Sequence, residues 1–536
     1  MMKKIFLPII VISSLASLVS CEDLDLVPTD RETEETFWDK PEDALNVLNT
    51  CYEYMYNAEY FFFNETLSDN AFNKSEVDGS NSRNIAEGSY DASHARITNE
   101  WSFHYAGIRK CNILLQNVDR VEGLDEALRE RIKGEARFIR AFHYFHMTVW
   151  YGDVPLVDNV LSVEESQNLT RASQIDVINF INTDLDFAAR VLPKNTAYTA
   201  DDRGRVTKGA ALALKARLAQ YLGTWSSVIT IAEQFFNGEA GNYTLFGNYA
   251  GVFKPQNEFN QEVILDLQYV PVQRTHDIQR FFLPKTEGKL VTSIAPTQEL
   301  VDAYLMNNGM AINNPASGYN EAAPYVNRDP RFYSTIVYDG YEWQKPDGTS
   351  YTIRTLPGMG ANSIDNNDAS PTGYYFAKYY DHTADADNRS GLNLILIRYA
   401  EILLMYAEAK NALGQFDVGV WDNTMKIIRQ RAGFTDAAAL EFNSAWNQQD
   451  VEEILRNERR VEFALEGLRI FDIRRWRIAE DVMNGWIHGM RVGDASIDNG
   501  YKRVDFRSFD PSKHYLWPVP QRERDLNKNL SKNPNW

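Results

Sequence analysis

The chain has 536 residues, with 55 Lys and Arg against 74 Asp and Glu, a formal net charge of −19. An acidic surface argues against nucleic acid, whose phosphates require a basic footprint, and against docking on anionic lipid through a polybasic patch. Length alone corresponds to about three to four domain-sized units, although a helical array can form one continuous body of that size.

Residues 1–20 read as a secretory signal. Lys3 and Lys4 give a basic start, Ile5 to Leu18 is apolar or small throughout, and small residues precede Cys21. Leu18-Val19-Ser20-Cys21 resembles the lipobox of bacterial lipoproteins, in which cleavage precedes the cysteine and acyl chains are attached to it. Cys21 is thus the expected lipidation site, and two or more chains anchor stably where one binds marginally. The plainer alternative is an ordinary cleaved signal with a chance cysteine. Loss of residues 1–20 takes the net charge to −21. Glu22 to Glu35 holds seven acids against Arg31 alone, so residues 21–36 read as a solvated acidic tether.

From Pro41 the pattern turns helical, with Ala44, Val47, Leu48 and Cys51 spaced for one buried face. Further amphipathic helices are expected over 100–118, 125–150, 173–191, 207–222, 226–237, 394–413, 417–431 and 448–480. The most apolar stretch after the signal, Leu392–Ala409, is interrupted by Arg398, Glu401 and Glu408, which marks a buried helix and not a membrane span. Two helices end alike, at Tyr221-Leu222-Gly223 and Ala412-Leu413-Gly414, each Gly suiting a left-handed C-terminal cap. Stacked helical hairpins of tetratricopeptide type follow from that pattern. The expected fold class is therefore mainly α: a helical-hairpin scaffold (37–58, 100–237, 394–483) carrying a large irregular region (59–99, 238–393, 484–536) within a single body over 37–536. Tyr, Phe and Trp recur through the irregular segments, which favours packed loops over disorder. Cys51 and Cys111 could pair in an exported protein, but both sit in apolar helical stretches, where buried free thiols are favoured.

Several blocks together make the chain recognisable. They are Gly134-Glu135-Ala136-Arg137-Phe138-Ile139-Arg140-Ala141 running on to Tyr151-Gly152-Asp153-Val154-Pro155-Leu156, then Arg328-Asp329-Pro330-Arg331-Phe332, Arg398-Tyr399-Ala400-Glu401-Ile402-Leu403 and Arg429-Gln430-Arg431-Ala432-Gly433. The helix expected over Glu458–Trp476 and the ending Trp517-Pro518-Val519-Pro520 to Asn533-Pro534-Asn535-Trp536 complete the set. In this order they resemble the SusD/RagB family of Bacteroidetes outer-membrane lipoproteins, although the family ending is closer to Asn-Pro-Gly-Tyr. The resemblance implies a tetratricopeptide-like scaffold with a loop-rich ligand region, anchored on the cell surface. It also implies a non-catalytic role as lid over a SusC-like TonB-dependent transporter, capturing oligosaccharides, or peptides in the RagB branch.

Sugar rings present C–H faces that stack on aromatics and hydroxyls that need polar partners. Such groups crowd two irregular segments. One holds Asp69, Asn70, Phe72, Asn73, Asn81, Arg83, Asn84 and Tyr90; the other holds Tyr341, Trp343, Tyr351, Arg354, Asn362 and Tyr374. The expected ligand contacts are Trp343, Tyr341, Asn73, Asn81, Arg83, Tyr90 and Tyr374, with Trp343 foremost because exposed aromatics are favoured at recognition surfaces. The plainer reading is that these aromatics close the loop core.

His143 and His146 lie one helical turn apart with no third ligand nearby, which favours core histidines over a metal pair. The acidic loops Asp365–Asp368 and Asp381–Asn388 lack the EF-hand's Gly and Glu spacing; structural calcium is unsupported and no cofactor is expected. Asp201-Asp202 before Arg203-Gly204 reads as a turn. No nucleophile elbow, zinc-protease helix or phosphate-binding loop is present in the sequence. A surface glycoside hydrolase remains the alternative of a different class, because paired carboxylates are a spatial and not a sequential feature.

Overall fold

A computed structural model describes residues 37–75, 82–289 and 291–536. Cys21, its tether and Asn81 lie outside the described residues.

The scaffold is a series of packed helices, as the periodicity predicts. Pro41–Glu53 opens with Pro at its first turn and buries Ala44, Leu48 and Cys51 against the helices Ala95–Asn117 and Glu126–Tyr151. Glu126–Tyr151 also packs on Gln174–Val191, which packs on Lys208–Tyr221, and that helix on Trp225–Phe236. Tyr399–Ala412 closes the series against Trp225–Phe236 and Gln448–Glu462. Ser173 and Thr207 cap two of these helices through their hydroxyls. Close approach is built in at Gly107, where a Cβ would lie 2.0 Å from His143 Nε2. The matching helix ends close at Gly223 and Gly414 with φ of +68° and +66°, the left-handed turn glycine adopts without penalty.

Among the described residues, five antiparallel strand pairs hold the irregular region. They are β1 (Ala71–Asn73) with β3 (Ile294–Pro296), β2 (Val263–Leu267) with β8 (Leu394–Arg398), and β4 (Ile336–Val337) with β7 (Tyr375–Phe376). β5 (Glu342–Gln344) pairs with β6 (Ser350–Thr352), and β9 (Gly485–Arg491) with β10 (Tyr501–Arg507).

Three expected helices differ in detail. Residues 394–398 form β8 and the helix starts only at Tyr399; Leu394-Ile395-Leu396-Ile397 is an apolar run whose periodicity does not separate buried strand from buried helix. The 417–431 helix breaks at Thr424, whose φ is −132°. The Glu458–Trp476 helix stops at Glu462 and resumes at Arg469, because Leu465 and Gly467 both adopt positive φ. A Cβ on Gly467 would come within 2.5 Å of the Phe61 carbonyl oxygen. Around the break the charged side chains reach other elements: Glu466 meets Arg398 and Lys378, Arg469 meets Asp69, and Asp472 meets Arg459 and, within its own helix, Arg475.

A buried ionic cluster joins scaffold to irregular region. Arg398 contacts Glu262 at 2.7 Å, Glu462 at 2.6 Å and Glu466 at 2.8 Å. Arg431 reaches Glu262 and Glu462, and Arg331 reaches Glu458 and Glu462. Burial alone would raise the Glu462 carboxyl, but Arg431, Arg398 and Arg331 override it and hold the group well below the usual range. The opposite balance holds at Lys378, which burial pushes down to about 8 despite Glu466. Cys51 and Cys111 are free and buried, and His143 and His146 are core residues.

Candidate functional site

The irregular region encloses a cleft of about 500 Å³ whose lining includes Tyr319, Tyr325, Tyr338, Tyr374 and Tyr501, together with Gln298, Glu321, Asp339 and Arg491. Its walls come from four places in the sequence: the short helix Gln298–Ala303, the loop 319–326, the 338–374 segment and the β9–β10 hairpin. The Arg328–Phe332 block explains how the first two are fixed together. Arg328 is buried and donates from Nη1 to the Pro324 carbonyl at 2.8 Å and from Nη2 to the Val301 and Tyr304 carbonyls at 2.6 and 2.7 Å. Asp329 caps the next helix through the Arg331 amide and pairs with the Arg331 guanidinium at 2.8 Å, tying the cleft wall to the buried cluster.

Inside the cleft, the rings of Tyr325 and Tyr338 lie 4.4 Å apart at 33°, and Tyr374 stands edge-on to Tyr325 at 6.3 Å. Tyr374 Oη donates to Gln298 Oε1 at 2.7 Å, and Gln298 donates on to Asp302 at 2.8 Å. Burial raises the Asp302 carboxyl and pushes the Tyr325 and Tyr338 hydroxyls up to about 12, so both phenols keep their protons at any physiological pH. Asp339 accepts from the Thr355 amide at 2.8 Å. Arg491 and Glu321 pair at 3.1 Å across the mouth, each side chain nearly half exposed. The arrangement offers ring faces beside hydroxyl, amide, carboxylate and guanidinium groups, the combination that a polyhydroxylated ring with apolar faces requires. A second cavity of about 570 Å³ borders the Ala95–Asn117 helix and the 155–169 segment. Its walls mix aliphatic with polar groups, among them Arg109, Asn159, Gln167 and Glu523, and Trp101, which lines it, is packed against Tyr105 and Tyr151.

The sequence-predicted contacts fall largely elsewhere. Tyr374 lines the cleft. Tyr341 stands behind it, edge-on to Tyr338 at 5.7 Å. Trp343, expected to be an exposed platform, is 2% exposed; β5–β6 pairing turns it inward, where it packs on Tyr341 and Tyr380. Asn73 is buried and donates to Ser82 Oγ at 3.0 Å. Arg83 pairs with Glu87 at 2.6 Å and Asp505 at 3.0 Å, and Tyr90 stacks on His514 with Trp536 alongside. In this first segment Asp69 and Asn70 are likewise engaged by Arg469 and Arg460. Asp69, Asn70, Asn73, Arg83 and Tyr90 are thus engaged in contacts within the protein. Sequence reasoning passed over Tyr319, Tyr325, Tyr338 and Tyr501; for the first three the concentration of tyrosine within the Gly-, Asn- and Pro-rich stretch 306–341 was the available signal.

Known proteins carry the same chain organisation. Residues 251–536 match the model of the SusD family. The chain belongs to that family. Residues 24–222 match a second SusD-like model, described as starch-binding and associating with the outer membrane. SusD-like protein P25 of Formosa agariphila is 26% identical, over 97% of this chain and 96% of its own. A SusD-like carbohydrate-binding protein from Bacteroides fragilis is 29% identical with a TM-score of 0.82, covering 92% of this chain and 100% of the other. A further SusD-like structure from the same organism gives 28% and 0.80, over 95% and 100%. In this SusD-like chain the Arg328–Phe332 block links the cleft wall to the buried ionic cluster.

Proposed function

We propose that this SusD-like chain is a non-catalytic surface lipoprotein that captures oligosaccharides in the tyrosine cleft and passes them to a SusC-like TonB-dependent transporter, whose mouth it covers. The observation that carries the reading is the cleft itself, where ring faces stand beside fixed hydroxyl and carboxylate groups. The carbohydrate-binding neighbour of 29% identity supports the ligand class, and the family model described as associating with the outer membrane supports the location. Cys21 supplies the anchor and the acidic stretch after it the reach.

The test is an array of plant, algal and microbial polysaccharides, with starch and laminarin included, probed with the purified protein beside a mixture of peptides. Retention of one glycan class without product release is expected. Retention of peptides alone would favour a peptide importer, and release of sugar products would favour a hydrolase.

A further inference from the structure

The β9–β10 hairpin that supplies one wall of the cleft also carries an aromatic pair that no core uses. Arg491 and Tyr501, partners in the hairpin register, line the cleft. At the other end of the same hairpin the register partners are Trp486 and Phe506. These are 44% and 50% exposed, the most exposed tryptophan and phenylalanine among the described residues. Their rings meet edge-on at 5.4 Å, and neither joins the hydrophobic clusters of the interior. An exposed aromatic patch without a packing role marks an interaction site.

The surroundings say what kind. The Arg503 guanidinium lies 5.0 Å from the Trp486 ring and is held there by Asp498 through bonds of 2.6 and 3.1 Å. Asp498 is in turn fixed by His488 Nε2 at 3.0 Å, whose Nδ1 faces Glu299 at 2.7 Å. Tryptophan, phenylalanine and arginine are enriched at protein–protein interfaces as well; what sets this pair apart is that it stands directly against an ion pair already held in place. A flat ring edged by guanidinium and carboxylate suits a sugar: the C–H face stacks and the hydroxyls bond sideways.

We infer that Trp486, with Phe506 and Arg503, forms a second, outlying sugar-binding platform that engages the far end of an oligosaccharide whose near end occupies the tyrosine cleft. The two ends of the hairpin are five residues apart, at most about 17 Å at ~3.3 Å per residue, since two register shifts interrupt the pairing between them. That span is one for a chain of several sugar units and not for a mono- or disaccharide. The platform therefore selects for length, and it rests on the carbohydrate reading of the cleft.

The experiment uses the polysaccharide retained on the array, partly hydrolysed and separated by size, and calorimetry on purified wild-type protein, Trp486→Ala and Trp486→Tyr. Trp486→Ala should bind long fractions roughly three- to tenfold more weakly and short fractions as tightly as wild type, with Trp486→Tyr close to wild type throughout. Equal affinity of Trp486→Ala for every fraction overturns the platform while leaving the cleft reading intact. An unchanged glycan affinity together with reduced co-purification of an outer-membrane barrel protein overturns it in favour of a protein contact. If wild type retains no glycan, the cleft reading itself fails, and the platform with it.

Discussion

The guanidinium of Arg331 meets the carboxylate of Glu462 at 2.9 Å, with both side chains completely buried. Arg331 lies in the short helix Pro330–Thr335 that follows the 319–326 wall, and Glu462 ends a scaffold helix, so the pair is the rivet between the two materials of the fold. Asp329 and Glu458 complete the surroundings of Arg331 at 2.8 and 2.6 Å. Charges taken out of water are tolerated only while mutually paired.

Arg331→Met should therefore lower stability by about 3–5 kcal/mol, since it leaves buried carboxylates short of a partner, and should loosen the 319–326 wall. Denaturant titration checks the first effect, and protease susceptibility of the loop checks the second. A variant as stable as wild type would show that the cluster is not what joins the two regions.

Trp343→Ala gives a contrasting outcome to the one expected from an exposed platform. With Trp343 packed between Tyr341 and Tyr380, truncation should cost about 3–5 kcal/mol through the cavity it leaves. A drop in Tm is the expected readout. Loss of glycan binding with an unchanged Tm would instead return Trp343 to the ligand surface.

Acid sensitivity has an identifiable source in three core histidines. His104 Nδ1 lies 3.0 Å from His143 Nδ1, His146 stacks on His104 at 5.5 Å, and Arg96 pairs with Glu100 at 2.7 Å alongside. Burial, with mutual repulsion among neighbouring cations, holds His104 and His146 well below the ordinary range, and burial alone holds His143 at about 3. The unfolded chain binds these protons below about pH 6.5 and the folded chain does not until far lower. Their contribution to stability is thus complete above pH 6.5 and is lost as pH falls from there towards 3, each group costing about 1.4 kcal/mol per pH unit. Neither ring nitrogen of His146 has a hydrogen-bond partner, so His146→Phe should keep the fold and flatten the fall of Tm between pH 6.5 and 4. An unchanged slope would assign acid sensitivity to the carboxylates.

Anchoring can be separated from binding. Cys21→Ala should release the protein from the membrane fraction and abolish glycan uptake by cells, while the purified variant still binds glycan. Uptake that survives release would remove the anchor from the mechanism.

Much of the scaffold was legible because helix periodicity and C-terminal glycines such as Gly223 and Gly414 are local signals. β8 was not, since an apolar run such as Leu394–Ile397 suits either buried element. The break after Glu462 was hidden because Leu465 adopts a left-handed conformation that leucine rarely takes. The cleft was only partly legible for a different reason. Tyr325 and Tyr338 come from one stretch, but Gln298 and Tyr501 reach the same cavity from a distant helix and a distant strand. Whether an aromatic faces solvent, as Trp486 does, or the core, as Trp343 does, is set by strand pairing that composition does not show.

Capture in the tyrosine cleft is tested most directly by calorimetry of the array-selected glycan against wild type and Tyr338→Ala. Tyr338 is partly exposed at the cleft wall, in ring contact with Tyr325, Phe332 and Tyr341, so its truncation also removes packing and lowers Tm. A loss of about tenfold or more in affinity, corresponding to ~1.4 kcal/mol, measured well below the variant's own unfolding transition, is the predicted result. Wild-type affinity in Tyr338→Ala would contradict capture at this site.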